Sequence, residues 1–335
     1  MQQSRTFRFP EIAMSVGWRK LVPLLSSSRA VRALARPHLV LDALLGLARA
    51  GVIEATPHGL AVTSSAVDDR AAAALRYLSQ VGVLHHGRRG YRIARRWQPG
   101  LAAAFYAASA YADVAFGYAT GNAPATTEER DELHDAVASG MLASPVALAA
   151  AAKLLPPPVL ERFDTFVDLG CGSGEFLLWL AARAPNARLV GVDHDLRAVK
   201  SRDGLRRAHL VEADVRDAAT IAAAVEGARR VLVSGMFVFH EIADADVVTL
   251  WQYILRSFPE PTILVTELVP RPAWTRHFDR HLPIAEVELV HALTGQEVRP
   301  IHEWEALAGK ADGTIVESLR QPMTGYYAAL LRPTP

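Results

Sequence analysis

A chain of 335 residues is long for one small module and sets an expectation of two domains, one large enough to bury a full core. Half of it (50%) is hydrophobic and 21% is charged, a balance that excludes a disordered chain. Lys plus Arg number 36 against 35 Asp plus Glu, and a net charge this close to zero argues against a nucleic-acid coat or an electrostatic membrane binder.

The single cysteine, Cys171, excludes an internal disulfide framework and a cysteine-rich zinc module. The N-terminal MQQSRTFRFPEIAMSVGWRK lacks a charged-then-apolar signal pattern. No apolar run reaches the ~18 residues of a membrane span. The expectation is a cytoplasmic protein with no membrane and no nucleic-acid partner.

Residues 11–155 read as mostly helical. HLVLDALLGLARAGVIEA (38–55) carries apolar residues at helical spacing and stops near Gly51; DDRAAAALRYLSQVGVLHH (68–86) does the same and ends at Gly82. HGRRGYRIARRW (86–97) reads as a hairpin turning at Gly87 and Gly90. Helix, helix and basic hairpin outline a winged helix. Arg88, Arg89, Arg95 and Arg96 would suit DNA, but the neutral chain favours a dimerisation or scaffold module. Residues 99–123, rich in Ala and Tyr, read as tight helix packing or a pocket wall. Pro156 to Pro158 mark the junction between domains 1–155 and 156–335.

From residue 163 the pattern changes. TFVDLG (165–170), ARLVGVD (187–193), HLVEAD (209–214), RRVLVSG (229–235) and PTILVTEL (261–268) are short apolar runs separated by helical segments. Such alternation predicts a parallel α/β sheet. GTIVESLRQP (313–322) and TGYYAALLR (324–332) add an antiparallel hairpin at the end.

VDLGCGSGEF (167–176) ends the first of these strands and opens a helix. Gly170, Gly172 and Gly174 permit a tight turn and close approach of a ligand to the backbone. Asp193 ends the second strand, where a carboxylate can bind both ribose hydroxyls; Asp214 ends the third, where one can accept from an adenine amino group. Each acid alone is equally a turn or capping residue; together, at successive strand ends, they form a nucleoside-binding constellation. Asp168 just before the first glycine and the terminal hairpin favour S-adenosylmethionine over a dinucleotide. This half resembles the class I S-adenosylmethionine-dependent methyltransferases, which implies an α/β Rossmann-like seven-stranded domain preceded by a mostly helical winged-helix dimerisation domain. Cys171, inside the loop, reads as a small filler.

The fourth strand runs into SGMFVFHEIADAD (234–246). Chemistry in an open α/β sheet gathers at the carboxyl ends of strands, so Ser234, Phe237, His240 and Glu241 are candidates for the site, Ser234 on the cofactor side. The plainer reading of His240–Glu241 is a solvated helix start capped by Asp244 or Asp246. HLPIAEVELVHALTG (281–295) places His291 on an apolar segment, where a satisfied core histidine is the usual outcome; together with His240 it could bind a metal, with His281 and Glu288 as rivals.

The order winged helix, VDLGCGSGE, MFVFHE, LP-x4-ELVHALTG and HEWEAL resembles the 2-oxo acid C-methyltransferases of peptide-antibiotic pathways. The resemblance implies methylation of the β-carbon of a small-molecule 2-oxo acid, a homodimer, a non-haem iron or zinc held by His240 and His291, Glu241 as base, and Arg130 of the Arg130-Asp131 pair on the substrate carboxylate. Met236, Phe237 and Phe239, with Phe105, Tyr106, Ser109 and Tyr111, would hold the side chain. The chemistry is coherent. A chelated cation stabilises an enolate, which a carboxylate base alone does not form readily, and the guanidinium fork fixes the presented face. The alternative is a small-molecule O-methyltransferase in which His240, oriented by Glu267, takes a hydroxyl proton with no metal and no task for His291.

Overall fold

The computed structural model describes residues 40–56, 59–63, 68–87, 90–94, 98–110, 131–142, 144–200, 203–275, 291, 296, 298–322 and 324–335. The chain divides into two compact units, Met1–Phe105 and Tyr106–Pro335.

In the first unit, helix α1 (residues 40–49) leads into an antiparallel hairpin of β1 (Ile53–Thr56) and β2 (Gly59–Val62). Helix α2 (Asp69–Gln80) begins at Asp68, whose carboxylate accepts from the Ala71 amide, the local N-cap device. A second antiparallel hairpin pairs β3 (Leu84–Gly87) with β4 (Gly90–Ile93). The periodicity predicts both helices and the second hairpin. The first hairpin is a further element: the helical segment is expected to stop near Gly51, and no strand is expected over residues 53–62. Arg88, Arg89, Arg95 and Arg96 lie outside the described residues.

Helix α3 spans Gln98–Ala110. In the second unit, α4 (Glu132–Leu142) and α5 (Ser144–Leu154) precede the sheet, and α5 packs on α6 (Glu175–Arg183) and on the terminal strands. The compact division falls well before the proline run: α5 buries its apolar face with the sheet, and α4 packs on α5. The seven strands are β5 (Thr165–Leu169), β6 (Arg188–Asp193), β7 (His209–Glu212), β8 (Arg230–Met236), β9 (Glu260–Leu268), β10 (Gly313–Gln321) and β11 (Tyr326–Pro333). They lie in the order β10-β11-β9-β8-β5-β6-β7. All neighbours from β9 to β7 are parallel, and β11 enters antiparallel between β10 and β9.

Period-two alternation divides the core. Val167, Leu169, Val231 and Val233 face one layer, containing α7 (Ala218–Ala224), α8 (Asp244–Ser257) and α9 (Ile301–Lys310), with Trp251 and Trp304 fully buried among them. Phe166, Leu189, Leu232 and Leu264 face the other layer, with Leu154, Leu177 and Leu180 of α5 and α6. Val247, Leu250, Trp251 and Ile254 give α8 its buried stripe, the spacing of a helix with one apolar face. Truncating either tryptophan to Ala would cost about 3–5 kcal/mol. Among the described residues no single helix is long and apolar enough to cross a membrane.

Candidate active site

A cavity of about 640 Å3 opens at the carboxyl ends of β5, β6 and β8, within the second unit. This is where parallel strands leave their last backbone groups and the following helices begin, and the volume is that of a small-molecule site.

The glycine loop forms one wall. Gly170, Gly172 and Gly174 all have positive φ. At Gly174, which caps α6 in the left-handed conformation, a Cβ would come 2.6 Å from Leu205 Cδ1. At Gly170 a Cβ would come 2.3 Å from Val238 Cγ2, so glycine lets this loop pack against the segment that follows β8. Cys171 lies inside the loop and is buried; burial first, and the nearby Asp168 and Asp193 carboxylates, push its thiol above the ordinary range. It is a filler and not a nucleophile at neutral pH.

Asp193 accepts from the Gly172 amide at 2.7 Å and from the Asp195 amide at 3.0 Å. It thereby ties the end of β6 to the loop while lining the cavity. Asp168 also lines it, and its carboxyl is pushed up to about 7, chiefly by burial, against the opposing effect of the hydrogen bond from Ser234. Ser234 is fully buried; its Oγ lies 2.7 Å from Asp168 Oδ1 and 3.1 Å from the Val167 carbonyl. It is not among the cavity-lining residues; its hydroxyl donates to the cavity-lining Asp168 on the neighbouring strand. Asp214 does reach the cavity, but Arg216 grips its carboxylate through Nε and Nη2, holding that carboxyl below its usual range. The expected open acceptor for an adenine amino group is already ion-paired, because Arg216 stands two residues on and folds back.

The segment after β8 forms the opposite wall. Met236 and Phe237 line the cavity. Phe237 has φ 58 and packs edge-on to Tyr326. Phe239 is fully buried and packs against Trp251, so it belongs to the core and not to a substrate pocket. Gly235 leaves room for it: a Cβ there would meet the Phe239 ring at 2.3 Å. Phe239–Glu241 form one 3-10 turn. Glu267, fully buried at the end of β9, holds this turn. Its Oε1 accepts from the Val238 and Phe239 amides at 3.2 and 2.8 Å, and its Oε2 lies 2.7 Å from His240 Nδ1.

That contact fixes the imidazole. With Nδ1–H donated to a carboxylate, neutral His240 carries its lone pair on Nε2. His240 Nε2 is 3.2 Å from His291 Nε2, and both rings are buried. Glu241 lines the cavity, and its Oε1 accepts from Gln296 Nε2 at 2.8 Å. Asp244 and Asp246 lie in the first turn of α8, whose N-cap is Ala243. Neither caps the helix; Asp244 pairs with Arg299, and Asp246 faces the cavity.

Among the described residues no group of three or more His, Cys, Asp or Glu stands ready for a metal. The expected pair His240–His291 does converge, and its separation is close to the ~3 Å between two nitrogens each about 2.0–2.1 Å from one ion. The Glu267 contact is the outer hydrogen bond such a ligand needs. Arg130, Tyr111, His281 and Glu288 lie outside the described residues. Ser109, near the end of α3, is partly exposed and is not among the cavity-lining residues. Gln296 and Arg299 carried no signal in the sequence beyond being polar residues before a helix.

Residues 166–258 match the family model described as a methyltransferase domain. A trans-aconitate 2-methyltransferase from Azoarcus sp. (strain BH72) is 41% identical over 68 residues, 20% of this chain. The chain spans 27% of that relative's length. The solved structure of the mitomycin 7-O-methyltransferase MmcR is similar at TM-score 0.53 and 17% identity, covering 93% of this chain and 99% of that one. Human N-acetylserotonin methyltransferase, solved with its S-adenosylmethionine, gives TM-score 0.54 at 17% identity, covering 92% and 98%.

Proposed function

We propose that this chain, whose residues 166–258 match a methyltransferase domain, transfers a methyl group from S-adenosylmethionine to an oxygen of a small molecule, with His240 as the proton acceptor. The observation that carries this reading is the buried Glu267–His240 pair, 2.7 Å between Oε2 and Nδ1; His240 is not itself among the cavity-lining residues but stands next to Glu241, which is.

S-adenosylmethionine supplies an electrophilic methyl group on a sulfonium centre. The residues present fit it. Asp193 would take the ribose hydroxyls while holding the Gly172 amide. The glycine loop would lie against the amino-acid part, and Asp168 is a buried carboxyl that a ligand ammonium would complete as an ion pair. A cationic partner there lowers the carboxyl back toward its ionised range.

The acceptor's hydroxyl proton passes to His240 Nε2, the nitrogen left with a lone pair by Glu267. Ionised Glu267 holds the ring orientation and stabilises the imidazolium as it forms. Met236 and Phe237 present apolar surface to the acceptor. Displacement at the methyl carbon then depends mainly on placing the acceptor oxygen about 3–3.5 Å away and in line. The mitomycin 7-O-methyltransferase structure shares the fold and is named for methylation at an oxygen, which supports this reading over the C-methylation expected from sequence resemblance.

One observation favours a second reading. The 3.2 Å between His240 and His291 gives His291 a place that proton abstraction by His240 does not require. In the 2-oxo acid reading the two imidazoles would hold iron or zinc, which would supply Lewis-acid stabilisation of an enolate. Glu241, on the cavity wall, would then accept the β-carbon proton.

The test is methyl transfer from methyl-labelled S-adenosylmethionine to a panel of phenols and 2-oxo acids, with and without chelator, reading the product carbon shift by NMR. An oxygen-bound methyl, formed in chelator and abolished by His240→Ala, is expected. Undiminished transfer in His240→Ala sinks the reading. A carbon-bound methyl that requires metal and His291 replaces it with the second.

A further inference from the structure

The catalytic turn has two clamps, and the second lies outside every motif of the site. Arg299 sits just before α9, and its side chain is 5% exposed. Its Nη1 donates to the Phe239 carbonyl at 3.2 Å and its Nη2 to the Ile242 carbonyl at 2.9 Å. Its Nε donates to Asp244 Oδ1 at 2.8 Å. The guanidinium carbon lies 5.1 Å from the centre of the Trp304 ring. The two carbonyls bracket His240 and Glu241.

A buried cation is costly unless it is paired and hydrogen-bonded. Here its main-chain contacts go to the first residue of one turn and to its C-cap Ile242, while its carboxylate partner Asp244 is 60% exposed. A guanidinium has a fixed planar fork, so two carbonyls gripped by its two arms cannot move independently. Glu267 holds the amide end of the same turn. An anion on the N–H end and a cation on the C=O end complement the dipole of the turn from both sides. The ring of His240 and the carboxylate of Glu241 then have little backbone freedom left.

We infer that Arg299 is the positioning residue of the proton-accepting turn, fixing where His240 and Glu241 stand relative to the acceptor without touching it. The inference rests on the proposed function for its kinetic consequence, and on geometry alone for its structural one.

The test uses the full-length protein with Arg299→Met, Arg299→Lys, Asp244→Asn and, as a control, Arg256→Ala, which removes a surface ion pair with Asp312. Arg299→Met is expected to lower kcat by roughly 10- to 100-fold, the scale of a small misplacement at the reacting centre. The acceptor KM and S-adenosylhomocysteine affinity should stay within about twofold. Arg299→Lys restores part of the charge but not the fork, and should recover only part of the loss. Asp244→Asn leaves both carbonyl contacts and should fall in between. Arg256→Ala should match wild type. Hydrogen exchange should accelerate in the peptide covering residues 236–245 and not in those covering β5 and β6.

Wild-type kcat in Arg299→Met, or exchange that rises equally across the sheet, overturns the inference. If Arg299→Met does not fold, Asp244→Asn decides: unchanged kcat together with unchanged local exchange overturns it. If wild-type protein methylates no acceptor, the proposed function fails, and local exchange still judges the clamp.

Discussion

His240 and His291 meet at 3.2 Å between their Nε2 atoms although 51 residues separate them in the chain. One nitrogen must donate to the other or both must face a shared partner. Glu267 decides the roles by holding His240 Nδ1, which leaves His240 as the acceptor and His291 Nε2–H as the donor. His291 thus donates to the lone pair that the proposed reaction uses.

Removing His291 separates the two readings. With proton abstraction by His240 alone, His291→Ala keeps methyl transfer within roughly tenfold and indifferent to chelator. With a shared metal ion it loses about 10²-fold or more, the usual cost of disturbing a metal's ligand set. Metal content of the purified protein and kcat of the variant measure both.

His240→Asn should lower kcat by roughly 10²–10⁴-fold, the usual contribution of a positioned acid–base group. Affinity for S-adenosylhomocysteine, measured by calorimetry, should be unchanged within about twofold, since the residues proposed to hold the cofactor lie on the loop after β5 and at the end of β6.

Glu267→Gln keeps the shape and changes the proton. The two amides at Oε1 still need an acceptor, so the new NH2 faces His240 Nδ1 and drives the ring to its other tautomer. His240 Nε2 then carries a hydrogen and cannot act as a base. A loss of roughly 10²–10⁴-fold in kcat is expected, at a stability cost of about 1–3 kcal/mol for the weakened buried network. Glu267→Gln as active as wild type would remove His240 from the mechanism.

Asp168 makes stability depend on pH in an unusual direction. Its folded value of about 7 lies above the ordinary 3.8, so the folded state binds the proton more tightly than the unfolded one. Its stabilisation is complete below the ordinary value. Stability is therefore lost as pH rises from about 4 to about 7, on the order of 4 kcal/mol at most from this group. Denaturation of the ligand-free protein across this range should show the decline, and Asp168→Asn should flatten it. Binding of S-adenosylhomocysteine, whose ammonium suits the ionised carboxylate, should strengthen over the upper part of the range, and Asp168→Asn should abolish that trend.

Gly170→Ala and Gly172→Ala make a controlled pair. Both positions have positive φ, a strain of about 1–2 kcal/mol for any other residue. Only at Gly170 does the added Cβ strike Val238 at 2.3 Å, whereas at Gly172 its nearest neighbour is Ala136 at 3.7 Å. Gly170→Ala should cost a further ~1–3 kcal/mol and should lower kcat as well as cofactor affinity, because Val238 leads into the His240 turn. Thermal melting and kinetics of the two variants check the difference.

Much of the second unit was legible in the sequence. Five apolar runs and a terminal hairpin predict the seven strands: β5, β6, β8, β9 and β11 are mostly buried, the edge strands β7 and β10 are not, and the last two form the antiparallel pair the sequence suggests. The glycine loop, Asp193 and the His240–Glu241 segment fall at strand ends because parallel crossovers put every strand's carboxyl end on one edge. The sequence could not place Phe239, whose neighbours Met236 and Phe237 face the cavity while it turns into the core against Trp251. It also could not show Ser234 beneath Asp168, or Arg216 closed over Asp214.

What the chain's order of residues determined by itself is the sheet, its crossovers and the edge on which chemistry gathers, because these follow from local periodicity and connection rules. Only the tertiary structure decided which polar groups meet there. Glu267 and His240 are 27 positions apart, and Arg299 lies 60 from Phe239. Such pairs are made by strand order and turn geometry, and in a buried site each polar group must find a partner across that distance or forfeit its solvation.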